Sequence, residues 1–85
     1  MKDLGLHIEA LIFASSQSIS IDEIQQIIGS VSEVPVDEKL IADTLEHIKL
    51  KYVSPESVLE LMELNGGSQF LTKTTFYPLI NQLQI

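Results

Sequence analysis

The chain contains no cysteine, no tryptophan and no arginine, and its aromatic residues are limited to three Phe and two Tyr. Without cysteine there are no disulfides, no thiolate metal ligands and no thiol nucleophile, and a reducing compartment fits. Without arginine the chain lacks the commonest bidentate reader of guanine. Basic charge is scarce altogether: five Lys stand against twelve acids, for a formal charge of −7. An acidic field of this kind repels phosphate backbones and anionic membranes and attracts basic partners. No basic-then-apolar leader opens the sequence, and no apolar run approaches the ~20 residues of a membrane span. A soluble cytoplasmic protein with no membrane contact is therefore expected.

What the chain does have is apolar material, 45% of its 85 residues, enough for a core and too much for disorder. That length predicts one domain spanning residues 1–85. From Leu4 to Ser15, the residues Leu4, Ile8, Leu11, Ile12 and Ser15 follow helical spacing. Ala10, Phe13 and Ala14 widen the stripe, which predicts a first helix buried on most of its circumference. Ser16-Gln17-Ser18 breaks it, and Ile19 is expected to form one rung of extended chain. Ser20 with Glu23 makes a capping box for a second helix, whose apolar face is Ile21, Ile24, Ile27 and Ile28. Gly29 is placed to end that helix.

A connector over residues 30–35 leads to a third helix expected from Asp37 to Tyr52, striped by Leu40, Ile41, Leu45, Ile48 and Tyr52. Pro55 prevents its extension. At Val58 the period changes. Residues 58–64 and 68–73 read as two strands joined through Asn65-Gly66-Gly67. A strict two-residue loop sets Glu63 opposite Phe70, so a three-residue loop or a bulge near Met62-Glu63 is expected. Thr74 or Thr75 is placed to cap a short helix through Leu83, with Pro78 in its first turn. Three helices, a two-stranded wing and a short closing helix define an α+β, mainly α, winged helix-turn-helix domain.

A search for chemistry finds little. His7 and His47 lack the spacing and partners of metal ligands, and no Ser lies in a nucleophile elbow. Asp22-Glu23 and Asp37-Glu38 open predicted helices, where the helix dipole accounts for them. The paired glycines lie between strands, which makes them a hairpin turn rather than a phosphate cradle. The third helix sets Asp37, Glu38, Asp43 and Glu46 against Lys39, Lys49 and Lys51, so neither it nor the wing offers phosphates a positive surface. No catalytic, metal or cofactor site, no small-molecule substrate and no direct nucleic-acid partner is expected.

The remaining signal is apolar. Ile8, Leu11, Ile24, Ile28, Leu45 and Ile48 are expected in the core. Met62, Leu64, Leu71, Phe76, Tyr77, Leu79, Ile80 and Ile85 are surplus to it. So few helices cannot cover both faces of a wing, so part of Met62, Leu64 and Leu71 should be exposed unless the closing helix folds back over them. Met62, Leu71, Phe76 and Tyr77 are the candidate partner-binding residues.

Several stretches taken in order resemble the N-terminal domain of the segregation and condensation protein B (ScpB) family. They are Glu9–Ser15, Ser18–Ile24, Leu59-Glu60-Leu61, Asn65–Lys73 and Phe76–Ile80 with Leu83. The likeness covers nearly the whole chain. It implies a homodimer formed largely through this domain. It also implies binding of the kleisin ScpA, and through it SMC, in chromosome condensation and segregation at the nucleoid. Two departures stand out: Ser68 replaces the aromatic common after the paired glycines, and the chain stops before the family's usual second winged-helix domain. A DNA-binding transcriptional regulator of the same fold is the alternative, and a steep salt dependence of DNA binding would mark it. An enzyme comes third and would need a pocket of convergent titratable groups.

Overall fold

A computed structural model describes residues 2–83. Its elements are α1 (Leu4–Ala14), α2 (Ile21–Ser32), α3 (Glu38–Lys51), β1 (Leu59–Leu64) and β2 (Gly67–Thr72). A 3₁₀ turn (Thr74–Phe76) and the single-turn α4 (Tyr77–Ile80) follow. Ile85, counted above among the surplus apolar residues, lies outside the described residues.

The capping box forms as its sequence dictates. The Glu23 N–H donates to Ser20 Oγ at 3.1 Å, and the Ser20 N–H donates to Glu23 Oε1 at 3.1 Å. Asp37 caps α3 by accepting from the Lys39 N–H at 3.0 Å. Gly29, by contrast, does not end α2, which continues to Ser32. Glu33 takes the left-handed C-cap at φ 60°, its N–H donating to the Gly29 carbonyl at 3.0 Å. A glycine inside a helix costs about 1 kcal/mol, less than the intrahelical bonds that continuing the helix retains.

The core is a cluster of branched aliphatics: Ile8, Ile12, Ile19, Ile24, Ile28, Ile41, Ile48 and Leu61. Leu11 and Leu45, expected inside it, pack partly buried on its margin. The expectation that α1 is buried on most of its circumference fails. Ile8 and Ile12 are buried, but Leu6 is 60% and Phe13 71% exposed. One side of α1 meets α2, α3 and β2, and Leu6, Ala10 and Phe13 on its other side stay exposed.

The wing is antiparallel, with Leu64 opposite Gly67, Leu61 opposite Phe70 and Leu59 opposite Thr72. Its loop is the strict two-residue Asn65-Gly66, with φ 50° and 77°, and no bulge is present. Both central residues with φ > 0 match the twist of the flanking strands, as in the Asn-Gly hairpin signature. Glu63 therefore faces Ser68 and not Phe70, which removes the conflict that a Gly66-Gly67 loop creates. Gly67 belongs to β2 because the predicted extended rung docks there. The Ile19 N–H donates to the Ser68 carbonyl at 2.9 Å, and the Ser68 N–H donates to Ile19 at 2.8 Å.

Neither Thr74 nor Thr75 caps a helix through its side chain. The chain tightens first into the 3₁₀ turn, with the Phe76 N–H bonded to the Lys73 carbonyl at 3.1 Å, so backbone carbonyls serve where hydroxyls were expected. Pro78 sits in the first turn of α4, where its missing N–H costs nothing.

Candidate protein-interaction site

Side chains alternate along a strand, so the register divides the wing into two faces. Leu59, Leu61, Ser68 and Phe70 face inward, with Leu61 and Ser68 buried. Glu60, Met62 and Leu64 share the outer face with Leu71, Gln69 and Gly67. Met62 and Leu71 are diagonal neighbours there, close enough to form one patch. Met62 is 36% exposed, and Leu71 is half-buried. Met62 also lines a cleft of about 360 Å³ between β1 and the end of α3, with Tyr52, Val53 and Leu61 beside it and Lys49, Glu60 and Lys73 among its walls.

Phe76 is half-buried and Tyr77 is 43% exposed. They lie beyond β2, where α4 packs chiefly on the 3₁₀ turn and not back over the wing. The exit of β2 is pinned by Lys73, whose N–H donates to the Val58 carbonyl at 2.9 Å and whose Nζ donates to the Ser54 carbonyl at 2.8 Å. The structure thus joins Met62 to Leu71 and leaves Phe76 and Tyr77 on a separate, largely open segment with Leu79 and Ile80. Sequence reasoning missed the outer side of α1. A signal existed: two further helices and a hairpin supply too little surface to enclose a helix that is apolar on most of its circumference.

The best-developed electrostatic contact braces the fold. Lys51 Nζ lies 2.9 Å from Glu9 Oε1, and the Tyr52 hydroxyl donates to Glu9 Oε2. The Tyr52 ring also meets Phe70 edge-on at 4.8 Å, so α1, the end of α3 and β2 converge on this tyrosine. Burial alone raises the Glu9 carboxyl pKa, but the Tyr52 hydroxyl and the Lys51 ammonium together outweigh it and hold the carboxyl below its ordinary value. The Glu9 hydrogen bond, with burial, pushes the Tyr52 hydroxyl up from 10.0 to about 12.

The signs follow from linkage. The Glu9 contribution to stability is present above its ordinary carboxyl value and lost as pH falls through the lowered one. The Tyr52 contribution is intact below pH 10 and lost as pH rises through about 12. Tyr52→Phe should therefore abolish the tyrosinate absorbance step near 12 and flatten the alkaline loss of stability, which paired spectroscopic and thermal titrations measure. A parent chain with no absorbance step near 12 that Tyr52→Phe removes would contradict the contact.

The brace brings together one carboxylate, one ammonium and one phenol, those of Glu9, Lys51 and Tyr52. The cleft between α2, α3 and the wing tip, about 380 Å³, is lined by Ile21, Leu45, Gly66, Gly67 and Ser68 with a single ionisable group, Glu63. Among the described residues no group of three or more His, Cys, Asp or Glu could hold a metal ion. His7 Nδ1 is engaged by the Asp3 carbonyl at 2.8 Å. Lys39 is held by Asp43 at 2.9 Å, Lys51 by Glu9 and Lys73 by Ser54, so three of the five lysines are committed within the chain. Among the described residues no helix is long and apolar enough to cross a membrane.

Three helices, a two-stranded wing with an Ile19 rung and a short closing helix define a winged-helix domain. The chain belongs to the family described as segregation and condensation complex subunit ScpB, which it matches over residues 6–84. It is 29% identical over 84 residues to segregation and condensation protein B of Acetivibrio thermocellus, covering 98% of this chain and 39% of that protein. The chain thus spans about two fifths of that curated relative's length.

A crystal structure described as a dimer of the ScpB N-terminal domain complexed with ScpA peptide superposes with a TM-score of 0.80 at 26% identity, covering 99% of this chain and 91% of that one. ScpB from Mycobacterium tuberculosis gives a TM-score of 0.75 at 19% identity, covering 94% of this chain and 46% of that one. At that identity the likeness speaks for the fold alone.

Proposed function

We propose that this domain is a non-catalytic interaction subunit of a bacterial SMC–kleisin complex. In this reading it pairs with a second copy and binds a segment of the kleisin ScpA, acting in the cytoplasm in chromosome condensation and segregation. Residues 1–85 act as one winged-helix unit. The family match supports the complex, and the solved dimer with ScpA peptide supports both kinds of partner. The observation that carries the reading is the outer face of the wing. Met62 and Leu71 form an apolar patch there that stays partly exposed among the described residues, and it adjoins a cleft with charged walls. An apolar centre with a polar rim is the anatomy of a protein contact. Phe76 and Tyr77, on the separate closing segment, supply a second part of that contact.

The test is titration of a fluorescently labelled ScpA central segment into the protein. Leu71→Glu and Met62→Glu should each weaken binding by about 30-fold or more, as expected for central contact residues. Both sites lie at the surface or half-buried, so the melting profile should be retained. Unchanged affinity in both folded variants would remove the wing from the kleisin contact.

A further inference from the structure

The wing is one of several apolar surfaces, and the surfaces differ in charge. Val31, Val34 and Leu40 are exposed near Glu33, Asp37 and Glu38, and the wing patch lies beside Glu60. The outer side of α1 is different. From Leu4 to Ala14 the only acid is Glu9, which is turned toward α3 and neutralised by Lys51. Leu6, Ala10 and Phe13 fall at i, i+4 and i+7, so they form one stripe along the exposed side.

We propose that this stripe is where two copies of the chain meet, through an antiparallel α1–α1 contact. This rests on the self-association proposed above and assigns it a surface. Charge selects the occupant. Two copies each carrying −7 repel wherever acidic surfaces are juxtaposed, and like charges brought together at an interface cost several kcal/mol. The α1 stripe brings no acid to the contact, and it offers a basic or acidic partner nothing to pair with. The spacing is also self-complementary. A two-fold axis passing beside Ala10 sets Ala10 against its own counterpart and puts Leu6 of one copy on Phe13 of the other, twice, as an isologous interface requires. The small side chain at the crossing lets the helices approach closely while the two larger ones close the ends.

The chain has no cysteine, so a single introduced thiol reports on this contact alone. Ala10→Cys is expected to give a disulfide-linked dimer under mild oxidation, because Cα atoms at such a crossing fall within the ~7 Å that a disulfide spans. Met62→Cys should not. In light-scattering measurements Phe13→Glu should weaken the dimer by about 30-fold or more, with circular dichroism showing the fold retained. A dimeric parent whose Ala10→Cys variant fails to cross-link overturns the α1 assignment and leaves self-association standing. A parent that stays monomeric at high concentration overturns both.

Discussion

Replacing Gly67 with alanine is expected to destabilise the domain more than any other single-methyl addition in the wing. The reason is not backbone torsion, since Gly67 has ordinary extended geometry and pairs with Leu64. It is proximity. A Cβ at this position would stand 2.7 Å from the Ile19 carbonyl carbon, 2.8 Å from its oxygen and 2.9 Å from its nitrogen. These are backbone atoms and cannot swing aside. The Ile19 segment must move off the strand, straining both hydrogen bonds to Ser68 and lifting Ile19 out of the core. Overpacking of this kind costs ~1–3 kcal/mol, and each weakened backbone bond adds up to about 1.

A loss of about 2–4 kcal/mol is therefore expected, and for a domain of this size it lowers the melting midpoint by roughly 10–25 °C. Gly66→Ala is the internal comparison. Gly66 sits at φ 77° with nothing within 4 Å of a built Cβ, so only the left-handed strain of about 1–2 kcal/mol applies. Thermal unfolding followed by circular dichroism separates the two. If Gly67→Ala melts no lower than Gly66→Ala, the close approach of Ile19 is not a feature of the folded protein.

The same region shows which parts of the fold the sequence makes legible. The capping box at Ser20 and Glu23 and the α3 stripe are local devices, decided by residues within one or two turns, and they stand where periodicity puts them. The Ile19 rung was also readable, because a lone branched residue between polar breakers has few other uses. The hairpin loop was not. Asn65-Gly66 and Gly66-Gly67 are both acceptable turns in isolation. What decides between them is the docking of Ile19 on Gly67, a contact across 48 positions (67 minus 19) that no window of neighbouring residues contains. Gly29 misleads for a related reason. Glycine permits a helix end without compelling one, and Glu33 adopts the left-handed cap instead.

The candidate site divides in the same way. Counting apolar residues against available cover puts Met62 and Leu71 at the surface, and the structure leaves both partly exposed on the outer face of the wing. Leu6 and Phe13 were missed because a stripe widened by Ala10 and Ala14 reads as deep burial when it is in fact two faces, one for the core and one for solvent.

That two-faced reading of α1 makes the second large prediction. Ile8→Ala should cost about 2–5 kcal/mol, because Ile8 is fully buried against the isoleucine cluster and its removal leaves a cavity that neighbours fill only in part. Leu6→Ala, two positions away, removes a comparable side chain from a site that is 60% exposed. Alanine is also the better helix former, so the expected change stays within about 0.5 kcal/mol. The comparison needs urea unfolding at concentrations low enough for the chain to be monomeric, since pairing through α1 would otherwise add mass-action stability that Leu6→Ala removes. At high concentration the ranking should narrow, with Leu6→Ala then losing the stability that pairing supplies. Equal losses at both positions in the monomer would mean that α1 is enclosed on all sides, and the exposed stripe needed for two copies to meet would not exist.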